Sequence, residues 1–402
     1  MNRRQAPITA SDLRGLSLLA ADGVVETSRI VEQLHHSIAR LALPLGRGPQ
    51  GGRTGISGLV YRSIREIASA SGQGAAWALG RFAPPVPSGR LDRDTWVSVL
   101  NGVMGDYLDE RDNPLAISMR LSLAGQPVDW QQGLVGPQFP AARRRVLVSL
   151  HGLCMNESCW FSDRAEQNLP LALAESHGFT PIFVRYNTGR HISDNGAELA
   201  DYLDRLRQIW PVALDEIVLL GHSMGGLVAR SACHHAERHA MPWLNDLSAV
   251  VALGSPHHGA PLERIGVQAH RLLGLSPYSA PFARLGRLRS AGITDLRFGN
   301  VCPEDWQGQD RFHPNPDARQ PTRLVDHVRA FAVAATLDRR ADSLRSRTLG
   351  DGLVPVASAL GQHRRPELCW PVPAHQQQVF CRSGHVDLIH QSRVLSRVHD
   401  WL

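Results

Sequence analysis

Ser223 stands in the pentapeptide Gly221-His222-Ser223-Met224-Gly225, directly behind the apolar run Ile217-Val218-Leu219-Leu220. A serine on a sharp strand-to-helix turn is forced into a strained backbone conformation, and small residues two before and two after it prevent clashes. Its hydroxyl then projects beyond the sheet edge, where it can act as a nucleophile. In a chain with 36 glycines such a pentapeptide is weak evidence by itself. The weight falls on partners: a serine nucleophile at neutral pH needs a base, an acid that orients the base, and donors for the oxyanion.

Each partner has a candidate at the end of an expected strand. For the acid, Asp351 lies in the glycine-rich turn Leu349-Gly350-Asp351-Gly352-Leu353, which can present a carboxylate, and is preferred to Asp338 and Asp342 of an arginine-rich surface run. Asp387 is set aside because it is too near the favoured histidine to reach the far side of its ring. For the base, His385 follows the last apolar run and a Ser383-Gly384 turn, whereas His375 precedes that run and His390 lies inside the helix after it. The oxyanion donors would be the backbone N–H of Met224, next to the nucleophile, and that of Leu153 in the loop His151-Gly152-Leu153-Cys154.

These positions require a particular set of elements. From Arg145 onward strand and helix signals alternate, which implies a mostly parallel sheet with crossover helices. The expected strands are Val146-Leu150, Pro181-Tyr186, Glu216-Leu220, Ala249-Leu253, Ala330-Ala335 and Gln378-Cys381, and the clearest helices run Gly196 to Ile209 and Gly225 to Glu237. Residues 259–323 break the rhythm and carry Leu272, Leu273, Leu275, Tyr278 and Phe282, so they read as an inserted lid or cap. Upstream, apolar residues recur at helical spacing from Ala10 to about Leu108, interrupted by Pro44 to Gly55 and by Pro84-Pro85-Val86-Pro87. A helix around Trp96 to Leu108 and a hairpin of Leu115 to Leu123 with Val128 to Leu134 close this part. The expected division is a helical extension over 1–140 and a catalytic domain over 141–402.

Composition narrows the chemistry. All 43 basic residues are arginine, so a lysine Schiff base, an internal pyridoxal-phosphate linkage and a Walker A lysine are excluded. The net charge of +6 is spread along the chain, with Arg143-Arg144-Arg145 and Arg339-Arg340 among the short dense runs, which disfavours nucleic-acid binding. No stretch approaches the ~20 apolar residues of a membrane helix, and the start leads into no apolar signal core, so a cytoplasmic location is expected. Six dispersed cysteines without a C-x-x-C read mainly as reduced thiols, and the pairs His234-His235 and His257-His258 lack carboxylates at metal-binding spacing. The chemistry needs no cofactor and no metal. The loop Tyr186 to His191 reads equally as a pocket wall or as a plain connection.

Four motifs in order, His151-Gly152-Leu153, Gly221-His222-Ser223-Met224-Gly225-Gly226, Gly254-Ser255-Pro256-His257-His258-Gly259 and Asp351-Gly352-Leu353-Val354-Pro355, resemble the bacterial lipase and serine-esterase branch of the α/β-hydrolase superfamily. They also resemble the GPI inositol-deacylase-like group. The resemblance covers roughly Arg145 to Leu402 and leaves the first 140 residues outside. It implies an α/β-hydrolase fold with an inserted lid, and a carboxylic-ester hydrolase that works through an acyl-enzyme on a small-molecule or lipid ester. Acyl transfer or polyester depolymerisation on the same triad, and a catalytically silent binding protein on this fold, are the competing expectations. The amphipathic N-terminal helices would pack on the core, form a homo-oligomer contact or face lipid.

Overall fold

Each apolar run marked as a strand from Arg145 onward forms one, because alternate side chains can be buried on opposite faces of a sheet covered on both sides. A computed structural model describes residues 9–23, 93–123, 126–128, 142–161, 168–260, 289–313 and 315–402, with isolated positions at 25, 66, 69 and 73. Most of the helical stretches expected over Ile56 to Leu79 and Val24 to Leu41, residues 129–134 of the hairpin and 261–288 of the expected lid lie outside the described residues.

The chain divides into two compact units, Met1–Val97 with Tyr107–Ala116 and Gly266–Arg289, and Ser98–Asp106 with Ile117–Ile265 and Ser290–Leu402. In the first, residues 10–23 are helical. Thr9 and Asp12 form a reciprocal cap: Asp12 Oδ2 accepts from the Thr9 N–H at 2.7 Å, and the Asp12 N–H donates to Thr9 Oγ1 at 3.2 Å. The same buried carboxylate takes both ends of the Arg93 guanidinium. Burial works to raise the Asp12 pKa, but Arg93 and the Thr9 donors outweigh it and hold the carboxyl below its ordinary value.

The second unit is an eight-stranded sheet in the order β2-β1-β4-β3-β5-β6-β7-β8. Helix α1 (Arg93–Asp109) precedes a short antiparallel pair, β1 (Arg120–Leu123) and β2 (Gln126–Pro127). Then come β3 (Arg145–Leu150), α2 (Leu169–His177), β4 (Phe179–Arg185), α3 (Ile192–Ile209), β5 (Glu216–His222), α4 (Met224–Arg238) and β6 (Leu247–Leu253). Next are α5 (Ala291–Asp295), β7 (Arg329–Thr336), α6 (Leu344–Thr348), α7 (Val356–Ala359), β8 (Gln377–Cys381) and α8 (Ser392–Trp401). β3 to β8 pair in parallel, and β1 lies antiparallel on β4.

Period-two alternation sorts the core into two layers. Val146, Val148, Leu150, Ile217 and Leu219 face a cluster with Leu199 and Leu203 of α3 and Leu227 and Val228 of α4. Leu147, Val218, Leu220, Val251 and Phe331 face the other, with Leu173 of α2 and Val394 and Val398 of α8. Burying each such side chain contributes ~1.5–3 kcal/mol, which clamps the sheet between helices. The loops at the carboxyl ends of its parallel strands are therefore held on a rigid frame. Among the described residues, no helix is long and apolar enough to cross a membrane.

Candidate active site

At the end of β5 the chain passes through Ser223 into α4 without an intervening loop. Ser223 has φ 55° and ψ −123°, a left-handed-side conformation that L-residues other than glycine rarely adopt. Its N–H donates to the Leu253 carbonyl at the end of β6 (2.8 Å), which ties the turn to the neighbouring strand. Gly152, in the loop after β3, lies against the turn: a Cβ there would stand 3.1 Å from Ser223 Cβ and 3.2 Å from His222 Nδ1.

Asp351 and His385 follow the neighbouring strands β7 and β8 and meet. Asp351 follows β7 by way of α6, and His385 lies just past β8. His385 Nδ1–H donates to Asp351 Oδ2 at 2.7 Å. The other carboxylate oxygen, Oδ1, accepts from the N–H groups of Leu353 (3.0 Å) and Val354 (2.8 Å), so the carboxylate is fixed at both ends. With Nδ1 protonated, Nε2 of a neutral His385 carries a lone pair and can take a proton. Ser223, Asp351 and His385 are 9%, 3% and 7% exposed, a site largely screened from water.

The rival acids are engaged elsewhere. Asp338 accepts from Ser343 Oγ and the Arg339 N–H, Asp342 pairs with Arg340 on the surface, and Asp387 Oδ2 accepts from the Gly384 N–H, closing the turn ahead of His385. His375 stands before β8 and is exposed, and His390 follows the short helical turn Val386–Ile389.

Met224 is the first residue of α4, where a backbone N–H has no carbonyl partner within its own helix and the helix dipole favours negative charge. Leu153 lies between Gly152, which abuts the Ser223 turn, and Cys154, whose φ is 61°. Leu153 and Met224 thus belong to the two backbone segments that adjoin the Ser223 turn.

Two histidines of the motifs take structural places beside the site. His222 Nε2 lies 3.2 Å from the His385 carbonyl, and because a carbonyl only accepts, Nε2 carries the proton. Burial, then the nearby His385, push the His222 imidazole down to about 3. His151 Nδ1–H donates to the Gly152 carbonyl and its ring stacks on Tyr186, with burial pushing its pKa down to about 4. Neither role is visible in the spacing of the motifs, since His222 is simply the variable position of its pentapeptide.

The remaining polar candidates serve the frame. His257 Nδ1 accepts from Arg230 and its ring lies against Trp370, while Arg319 holds the His257 carbonyl. In the loop after β4, Asn187 donates to the Gly105 carbonyl and His191 bonds Asp295. Arg144 and Arg145 pair with Asp215 and Glu216. All six cysteines are free thiols. Among the described residues no group of three or more His, Cys, Asp or Glu is arranged to hold a metal ion.

Comparison with known proteins bears on the fold. A family profile described as a PGAP1-like alpha/beta domain matches residues 183–317, which contain the Ser223 turn. Among solved structures, a lipase of Bacillus licheniformis, BlEst2 in mature form, is 21% identical, with 70% of this chain and 95% of that chain covered and a TM-score of 0.41. The esterase Pf2001 of Pyrococcus furiosus is 14% identical, with 65% of this chain and 83% of that chain covered and a TM-score of 0.35. No curated protein matches the chain. The mostly parallel sheet and the strained serine turn between its strand and helix give the chain an α/β-hydrolase fold, within which residues 183–317 are similar to the PGAP1-like profile.

Proposed function

We propose that this protein is a serine-dependent carboxylic-ester hydrolase acting through an acyl-enzyme. Ser223 Oγ attacks the ester carbonyl while His385 Nε2 accepts its proton. The amides of Leu153 and Met224 hold the oxyanion, and Asp351 keeps the imidazole in the required tautomer. The proton on His385 then passes to the departing alcohol, and a water activated by the same nitrogen releases the acid and restores Ser223. No cofactor enters this sequence.

The observation that carries the reading is the Asp351–His385 hydrogen bond of 2.7 Å on the frame that holds Ser223 in its strained turn. A carboxylate already anchored by two backbone donors orients the imidazole rather than merely neutralising it. The class of ester, small-molecule or lipid, follows from the resemblance of the motifs to lipases and esterases, and the two matched structures named as a lipase and an esterase agree with it. Replacement of Ser223 by Ala is expected to lower turnover of p-nitrophenyl esters by ~10⁴-fold or more. Turnover like that of the parent would end the proposal.

A further inference from the structure

Helix α1 carries Gly102 and Gly105 in its interior, where glycine weakens a helix by ~1 kcal/mol relative to alanine. The backbone also leaves helical geometry between them, at Met104 (φ −144°, ψ 28°). The compensation lies in what approaches that turn. A Cβ at Gly102 would overlap Cys154 Sγ and stand 3.0 Å from the Cys154 N and Cα atoms, and a Cβ at Gly105 would overlap Asn187 Oδ1. Hydrogen bonds fasten the same contacts. Asn156 Nδ2 donates to Ser98 Oγ (3.0 Å), Asn187 Nδ2 to the Gly105 carbonyl (2.9 Å) and Ser290 Oγ to the Gly102 carbonyl (2.6 Å).

Two loops therefore close on the middle of α1: the one after β3, which carries Leu153, and the one after β4. They are also joined to each other, since the Cys154 N–H donates to Thr188 Oγ1 at 3.2 Å. Cys154 is held at φ 61°, a conformation that a cysteine keeps only when its surroundings impose it. Leu153 is left between two fixed neighbours, Gly152 against Ser223 and Cys154 against Gly102.

We propose that the central turn of α1, through Gly102 and its contact with Cys154, is a positioning element of the oxyanion site that fixes the direction of the Leu153 N–H. The inference rests on the ester-hydrolase reading above, and assigns a catalytic consequence to a segment outside the four motifs. Gly102 touches no reacting atom; it acts through Cys154.

The test compares the parent with Gly102→Ala and with Gly102→Ala combined with Cys154→Gly, all as the full chain. Gly23→Ala, where an added Cβ meets nothing within 4 Å, is the matched control. A displaced oxyanion donor costs ~10²-fold in rate, so Gly102→Ala is expected to lower kcat on p-nitrophenyl butyrate ~30–100-fold with KM changed less than about threefold. Affinity for a trifluoromethyl ketone, which forms a tetrahedral adduct, falls by a similar factor. Removing the thiol by Cys154→Gly restores at least about tenfold of the lost kcat. Unchanged kcat and inhibitor affinity in Gly102→Ala, or a loss that Cys154→Gly does not relieve, overturns the proposal.

If Gly102→Ala does not accumulate as folded protein, Ser98→Ala takes its place. It is expected to lower kcat about three- to tenfold at unchanged KM, since loosened positioning costs rate before binding. An unchanged kcat there overturns the proposal equally. Fluorophosphonate labelling of the parent separates the two readings. Labelling at Ser223 with kinetically silent helix variants removes only the positioning role, and absence of labelling removes the hydrolase reading with it.

Discussion

At the scale of single residues, Asp351 has two jobs that its two oxygens divide. Oδ1 serves the Leu353 and Val354 amides and Oδ2 serves His385. In Asp351→Asn the carbonyl oxygen would stay with the two amides, so the NH₂ would face Nδ1 and force the proton onto Nε2. His385 would then be unable to accept a proton from Ser223, and kcat is expected to fall ~10³–10⁴-fold with KM little changed. Steady-state kinetics on a soluble ester would decide, and a loss below tenfold would mean that Asp351 does not set the tautomer. That Asp351 and His385 meet was readable from position alone, because each follows a strand at the same sheet edge and the rival carboxylates sit in arginine-rich or helical surroundings. The bond from His222 to the His385 carbonyl was not readable, since it joins the variable position of one motif to the backbone of another.

At the scale of elements, the strands were legible and the helix contacts were not. Apolar runs bounded by turn residues mark β3 to β7 closely, because burial on both faces leaves a continuous signal, whereas the edge strand β8 opens on Gln377 and Gln378 and is mostly half-buried. The Gly102–Cys154 approach depends on two segments far apart in the chain, and periodicity within either one is silent about it. Two glycines within a helical pattern were the available sign, since such residues commonly mark close backbone approach. The N-terminal helix had a better signature in Thr9-Ala10-Ser11-Asp12, a capping box whose acid also binds Arg93. Asp12→Asn would leave the half-buried Arg93 guanidinium short of a counter-charge and weaken the cap. A loss of about 3 kcal/mol is expected for the part of the chain that contains this helix. Hydrogen exchange of residues 10–23 would report it, and protection equal to the parent's would refute the pairing as a stabilising contact.

At the scale of the whole molecule, the charge that changes near neutrality is unusually simple to follow. Every side-chain cation other than histidine is arginine, which stays protonated at any working pH, so 19 histidines dominate titration between about pH 5 and 8. Burial lowers His151 to about 4, His222 to about 3 and His258 to about 3, and holds His257 well below its ordinary value of 6.5. The unfolded chain binds these protons more readily than the folded one below pH 6.5, so stability rises with pH through that window. It is fully present above about pH 6.5 and is lost progressively as pH falls toward 4 and 3. The urea midpoint should be level from pH 7 to 8 and decline below about 6.5, with a shallower decline in His222→Gln. A midpoint independent of pH between 5 and 7 would show that these imidazoles are reached by solvent.

Ser223 keeps a backbone angle that glycine would adopt without strain. With Ser223 as the proposed nucleophile, its turn sets durability against activity at one residue. A library of variants ranked only by resistance to heat would favour glycine there and enrich for molecules that fold better and do nothing. Any effort to harden this protein must therefore count turnovers as well as survivors.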